Sequence, residues 1–334
     1  MNLSFITFGG ESIGTGHIFR CLNIAKWVNE IRIDVNVSFF LLDIGLESQH
    51  KSVEIIKSRS NYKVSQININ SLSELNFNIL VSDLLNTPEK VAKILRKKSK
   101  FMVSIDNTSS SRVYSDLNIN PLYYDIPSKY KTKYDYIGPK FHITSSKFKY
   151  LKSRYRKEVK NILITQGGAD PFNLTYNIIS DLEFIRKSYK NITIHVLLGP
   201  AYRHNKSLLK FKKYNNIIFH NNIIDMGDFL KNIDIAISSI GITAFEVAEL
   251  GIPSIHLTSI EKEVETGKAL KELGVSVFLG IYCKNGMRYL LRNSLSYLID
   301  NEYARLKMRK NCSKVFNRSF TESVVNDILG EYSS

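Results

Sequence analysis

Twice along this chain an apolar run of strand length gives way to a glycine-rich turn and then to apolar residues at helical spacing. That recurrence limits the fold more than any other feature of the sequence. The first instance is Leu3 to Phe8, the turn from Gly9 to Gly16, and then Ile18, Cys21, Leu22, Ile24, Ala25 and Val28. The second is Asn161 to Thr165, the turn Gln166-Gly167-Gly168-Ala169-Asp170-Pro171-Phe172-Asn173, and a periodic helix to about Arg186. Between and beyond them strands alternate with helices, which predicts an α/β fold with parallel sheets and sites at the carboxyl ends of strands.

In the first half the pattern predicts a helix from His17 to about Glu30, a strand over Val35–Leu42, a helix from about Leu46 to Ser58 and a short strand near Lys63–Ile67. Ile79–Asp83 and Phe101–Asp106 read as buried strands that each end in a carboxylate, and Tyr136–Gly138 as a weaker strand. Thr87-Pro88-Glu89 opens a helix to about Lys98, with Thr as N-cap and Pro at the first helical position. From Gly138 to Lys160 apolar spacing fades and charge rises, the texture of a linker. After the second glycine turn come strands over Ile192–Leu198, Ile217–Phe219, Asp234–Ser239 and Ile252–Leu257. Helices are expected over Met226–Asn232, from Ile240-Gly241 onward, and over Glu263–Leu273, Met287–Leu298 and Tyr303–Phe316. Two Rossmann-like domains follow, residues 1–145 and 146–334, facing across a cleft, with the last helix placed to pack back on the first domain.

A strand-to-helix turn exposes backbone N–H groups where partial positive charge collects and anions bind. His17 stands in the first turn of its helix, where the dipole disfavours imidazolium, and Arg20 lies three residues on, on roughly the same face. His17 is thus a candidate base, with Gly14, Gly16, Arg20, Asp83 and Asp106 as candidate substrate contacts on one rim. In the second half Gly167, Gly168, Asp170 and Asn173 form one candidate phosphate turn, where Asp170 and Asn173 either order the turn or bond a ligand. Gly241, Thr243 and Glu246 form another, where Glu246 is one helical turn in and suited to accept ribose hydroxyls. Each feature has a plain alternative: a tight connection, a capping histidine, a charged first turn. Neither G-x-G-x-x-G nor G-x-x-x-x-G-K-[ST] occurs.

Composition narrows the function classes. No apolar run approaches the ~20 residues of a membrane span, and the N-terminus enters a strand directly with no leader pattern. Cys21, Cys283 and Cys312 are odd in number and widely spaced, which suits free thiols in a reducing cytoplasm and gives no zinc spacing. The net charge of +15 is concentrated at Arg96–Lys100 and Lys147–Lys160, which read first as solvated helix faces and linker and second as weak contact with an anionic membrane surface; no nucleic-acid-binding signature accompanies them. Oligomeric state is not readable.

The run Ile13-Gly14-Thr15-Gly16-His17-Ile18-Phe19-Arg20-Cys21-Leu22-Asn23-Ile24-Ala25 resembles the N-terminal motif of the UDP-sugar hydrolases of pseudaminic acid synthesis and of related spore-coat polysaccharide proteins. Ile162 to Thr175 is similar to that family's Gly-Gly-x-Asp segment. Asp234 to Pro253, with Gly241, Glu246 and Gly251, is similar to a nucleotide-binding half shared with the N-acetylglucosaminyltransferase of peptidoglycan synthesis. The resemblance implies a GT-B fold, UDP held by the C-terminal half, and His17 activating water at the anomeric carbon with inversion. No cofactor is implied and, with no D-x-D pair in the chain, no metal. Ile6 and Phe8 stand where the family has Arg-x-Asp, Asp83-Leu84-Leu85 where it has Asp-His-Tyr, and Asp106-Asn107 where it has paired aspartates. Its Arg and Asn-Gln fall near Ser145 and Lys262-Glu263. These departures lie at the sugar end and imply a different sugar. Two other readings stay open: a glycosyltransferase using a UDP-sugar donor, and a non-catalytic UDP-sugar-binding protein.

Overall fold

The computed structural model describes residues 1–9, 15–43, 49–122, 128–130, 132, 134–151, 153–221, 223, 225–316 and 318–330. The chain divides into two compact units, Met1–Ser146 with Arg318–Ser334, and Lys147–Asn317.

Among the described residues the first unit runs β1 (Asn2–Thr7), α1 (Gly16–Ile31), β2 (Asn36–Leu42), α2 (His50–Arg59), β3 (Lys63–Ile67), β4 (Phe77–Asp83), α3 (Glu89–Lys98), β5 (Ser99–Ile105), β6 (Leu117–Asn120) and β7 (Tyr134–Ile137). The strands form one sheet in the order β3-β2-β1-β4-β5-β6-β7, every pair parallel. The chain builds leftward from β1 to β3, then crosses to β4 on the other side of β1. The β1/β4 junction is therefore the switch point at which α/β sheets bind ligands. Leu3, Phe5, Phe39, Val81 and Val103 bury one face of the sheet against Ile18, Leu22, Ala25 and Trp27 of α1.

The second unit runs β8 (Asn161–Thr165), α4 (Leu174–Asp181), α5 (Glu183–Ser188), β9 (Thr193–Leu198), β10 (Ile217–Asn221), α6 (Met226–Leu230), β11 (Ile235–Ser238), α7 (Ile242–Glu249), β12 (Ser254–Thr258), α8 (Val264–Glu272), β13 (Val277–Ile281), α9 (Lys284–Asp300) and α10 (Glu302–Val315). Its sheet, β10-β9-β8-β11-β12-β13, is also parallel throughout, with its switch point between β8 and β11. The last helix, α11 (Arg318–Ile328), belongs to the first unit. Val324, Val325, Ile328 and Leu329 join that unit's core beside α1, and Tyr136 donates to Asp327.

The structure corrects the sequence reading in several places. Residues 138–160 are no solvated linker: His142, Ile143 and Thr144 are buried in the first unit, where the Trp27 indole donates to the Thr144 carbonyl at 2.9 Å. Phe148 and Ser153 are buried in the second. Pro88, not Thr87, takes the cap position of α3, with an extended ψ of 139° and no side-chain cap. β6, β13 and α11 were not anticipated. The segment 44–48, where α2 was expected to start, lies outside the described residues.

Candidate active site

The carboxyl ends of β1, β4 and β5 and the first turn of α1 form one constellation. His17, second residue of α1, has Nδ1 2.6 Å from Oδ1 of Asp83, the last residue of β4. Arg20, one turn further along α1, grips the same carboxylate with two donors, Nε to Oδ2 at 2.8 Å and Nη2 to Oδ1 at 2.7 Å. Its Nη1 donates to Oδ2 of Asp106 at 2.5 Å. The i, i+3 spacing lets one helix face present both imidazole and guanidinium to two adjacent strand ends.

Burial works against the charge of Arg20, but the Asp106 and Asp83 carboxylates more than offset it, so the guanidinium is held firmly charged. Burial likewise works to raise Asp83, and the charges and hydrogen bonds of Arg20 and His17 outweigh it, holding the carboxyl well below the usual carboxylate range. An ionised carboxylate only accepts, so Nδ1 of His17 carries the hydrogen shared with Asp83, and a neutral ring in this orientation has its lone pair on Nε2. The His17 side chain is 13% exposed while Asp83 is 0% exposed. The imidazole is the most exposed of these groups, ahead of Arg20 and Asp106. The Phe8 ring packs beside it, centroids 5.1 Å apart. Burial and then the Asp83 charge push the Cys21 thiol well up, and burial with the Arg20 charge pushes His142 down to about 3. Neither adds charge to the site.

Leu85, Asn86 and Asp106 adopt left-handed backbone conformations, with φ of 45°, 40° and 53°. Such residues cost on the order of 1–3 kcal/mol each and persist where surrounding structure fixes them. Asp106 keeps its N–H in the ladder, donating to Ile119 at 3.0 Å, while its side chain turns to Arg20. Gly16 opens α1. Gly14, an expected substrate contact, lies outside the described residues.

In the second unit the β8/β11 switch point is lined by the other two glycine turns. Gly167 has φ +75°, and a Cβ there would lie 3.6 Å from Ser239 Oγ, just beyond β11. Gly199, after β9, packs so closely that a Cβ would come within 2.3 Å of the Gly167 carbonyl oxygen and 2.4 Å of the Gly168 one. Asp170 orders the turn: it accepts from the N–H groups of Leu174 at 2.7 Å and Thr175 at 2.9 Å, so α4 begins on its own carboxylate. Asn173 accepts from Tyr202 Oη at 2.8 Å and donates to Ser207 Oγ at 3.1 Å.

The start of α7 differs. Gly241 caps it with no side-chain hydrogen bond, and a Cβ on Gly241 would meet nothing within 4 Å. Its uncapped N–H groups and the room above them suit an anion. Thr243 lies in that first turn. Glu246, one turn in, is buried, and burial followed by the Glu249 charge pushes it up to about 7 against a hydrogen bond from Thr243.

Sequence reasoning missed Gln49, whose Oε1 accepts the Gly9 N–H at 3.1 Å; forty residues separate the two, and no local pattern joins them. It also missed His256, buried between Ser238 Oγ at 3.0 Å and Ser254 Oγ at 3.1 Å and pushed by burial down to about 4. Among the described residues no group of three His, Cys, Asp or Glu side chains converges as metal ligands, and no helix is long and apolar enough to cross a membrane.

No family model matches the chain. An uncharacterised protein of Methanocaldococcus jannaschii is 32% identical over 289 residues, 79% of this chain and 57% of that protein. Spore coat polysaccharide biosynthesis protein SpsG of Bacillus subtilis is 23% identical over 291 residues, 84% of each chain. The Helicobacter pylori pseudaminic acid cytidylyltransferase and UDP-2,4-diacetamido-2,4,6-trideoxy-beta-L-altropyranose hydrolase is 22% identical over 279 residues, 78% of this chain and 45% of that one. The chain thus spans about half the length of the archaeal and H. pylori relatives. Among solved structures, MurG of Acinetobacter baumannii superposes with a TM-score of 0.65 at 14% identity, over 99% of this chain and 100% of that one. The S. aureus MnaA–UDP structure does so with a TM-score of 0.68 at 14% identity, over 100% and 98%. At such identities the likeness is one of fold, and the fold is GT-B-like.

Proposed function

We propose that this chain, which belongs to the family of SpsG and of the UDP-sugar hydrolase of pseudaminic acid biosynthesis, hydrolyses a UDP-linked sugar at its anomeric carbon in the synthesis of a surface glycan. The observation that carries the reading is the His17–Asp83 pair at the β1/β4 switch point, with Nδ1 engaged and Nε2 left to accept a proton.

In this mechanism Nε2 takes a proton from water as the water oxygen bonds to the anomeric carbon from the face opposite the leaving group. The bond from that carbon to the diphosphate oxygen breaks, UDP departs with the electron pair, and the configuration inverts. Asp83 holds the Nδ1 tautomer and stabilises the imidazolium that forms; Arg20 keeps Asp83 ionised. Arg20, Asp83 and Asp106 act here as positioning residues, since their polar atoms are spent largely on one another. The second unit takes the nucleotide, with the diphosphate on the α7 N-terminus and the Gly167-Gly168 turn and the ribose on Glu246. Names of relatives support this reading: the H. pylori protein is called a hydrolase of a UDP-sugar, and the S. aureus structure is a UDP complex.

Transfer of the sugar to an acceptor uses the same donor site, and the altered sugar-end residues keep that reading alive. Incubation with a panel of UDP-sugars in heavy-oxygen water, without acceptor, separates the two. Hydrolysis gives UDP and a free sugar carrying the label at its anomeric oxygen. UDP release only when an acceptor is added overturns hydrolysis in favour of transfer. UDP binding without turnover leaves a binding protein.

A further inference from the structure

Gln166 follows β8 directly and is 7% exposed, yet among the described residues neither Oε1 nor Nε2 has a hydrogen-bond partner. The register of β8 on β11 pairs Thr165 with Ser238, so Gln166 stands beside Ser239, two residues before the glycine that opens α7. It is also the residue before Gly167. Residue 166 thus stands at the switch point, immediately before one glycine turn and beside the strand end that leads into the other. A buried amide with neither hydrogen bond is a cost that an apolar side chain of the same size would avoid. Among the described residues no group offsets it.

We infer that Gln166 reads the ligand of the second unit, donating from Nε2 to a diphosphate oxygen and accepting at Oε1 from a hydroxyl or N–H of the same molecule. The carboxamide presents one donor edge and one acceptor side by side. A fully ionised diphosphate carries acceptors alone and would leave Oε1 unsatisfied. A nucleoside diphosphate offers both kinds of group and satisfies both atoms. Gln166 thereby favours the nucleotide over its phosphates alone. The inference rests on the reading that this unit binds a nucleotide, and deepens it by naming the residue that tells a nucleotide from an inorganic anion.

The test compares wild type with Gln166→Met, an apolar chain of similar volume. UDP and pyrophosphate binding are measured by calorimetry in alkaline buffer, where pyrophosphate is ionised, and thermal melts are taken without ligand. The expected result is a melting temperature at or above that of wild type, UDP affinity weakened about tenfold or more, and pyrophosphate affinity changed several-fold less. UDP affinity within twofold of wild type overturns the inference, because the amide is then satisfied by buried water. A melting temperature several degrees lower overturns it as well, because the amide then serves the fold. If wild type binds no UDP, the nucleotide reading itself fails, and that failure is distinct from one seen only in the variant.

Discussion

Nδ1 of His17 and Oδ1 of Asp83 lie 2.6 Å apart although 66 residues separate them in the chain. One comes from the first turn of α1 and the other from the end of β4. Parallel pairing of β1 with β4, which matches Thr7 to Asp83, brings them together.

Asp83→Asn keeps the shape of that pair and removes the charge that fixes the Nδ1 tautomer. The expected outcome is a fall in kcat of about 10²- to 10⁴-fold with KM changed little, read from UDP release. His17→Ala should cost about as much. The two changes combined should cost little more than His17→Ala alone, since both act through one imidazole. Turnover within tenfold of wild type in His17→Ala removes the imidazole from the mechanism.

The titration of buried histidines sets a direction for stability. His256 and His142 are pushed down to about 4 and about 3, whereas an unfolded histidine titrates near ~6.5. Between those values the unfolded chain binds protons that the fold does not, so stability falls as pH drops below ~6.5, by about 1.4 kcal/mol per pH unit for each group. Asp83, held below its usual range, acts in the same direction at lower pH. It favours the fold above the unfolded value of ~3.9, and that contribution is lost with further acidification. Urea unfolding from pH 7 to pH 5 should show the decline, and His256→Gln should flatten it. An equal slope in the variant would exclude His256 as a source.

Gly199 and Gly241 predict opposite outcomes for one and the same substitution. Gly199→Ala drives a Cβ into two carbonyl oxygens of the Gly167-Gly168 turn and should destabilise the second unit by ~1–3 kcal/mol. Gly241→Ala meets no neighbour, so the melting temperature should hold while UDP affinity falls. Melts with and without UDP measure both. Unchanged affinity in Gly241→Ala would move the diphosphate away from α7.

The net charge of +15 predicts association with vesicles of anionic lipid at low ionic strength and release at high salt, where the Debye length shrinks to ~3 Å at 1 M. Sedimentation of the protein with vesicles measures it. Equal binding at both salt levels would rule out an electrostatic origin.

Where sequence and structure coincide, periodicity and strand ends carried the information. Asp83 and Asp106 close apolar runs, and parallel strands put such residues on one edge. Arg20 falls on the His17 face by helical spacing alone. What stayed hidden depends on partners remote in sequence. Asn118 and Asn120 are buried in β6, so that strand reads as a polar loop until Ser104 on the neighbouring strand is seen donating to Asn118. Gln166 looks like one more turn residue; only its lack of partners in three dimensions marks it. Asp170 illustrates the converse: an acid beside Gly-Gly suits either ordering of the turn or a ligand contact, and the structure shows its carboxylate accepting from the backbone of α4.

Because α11 supplies Val324, Val325, Ile328 and Leu329 to the core around α1, the first unit is discontinuous in sequence. During synthesis its amino-terminal sheet emerges early and can pack against α1, whereas the part of the core that these four side chains supply follows only after the whole of the intervening unit. Until the residues after Arg318 are made, that part of the core stays incomplete, and exposed apolar surface of this kind is what makes partly made chains prone to aggregate.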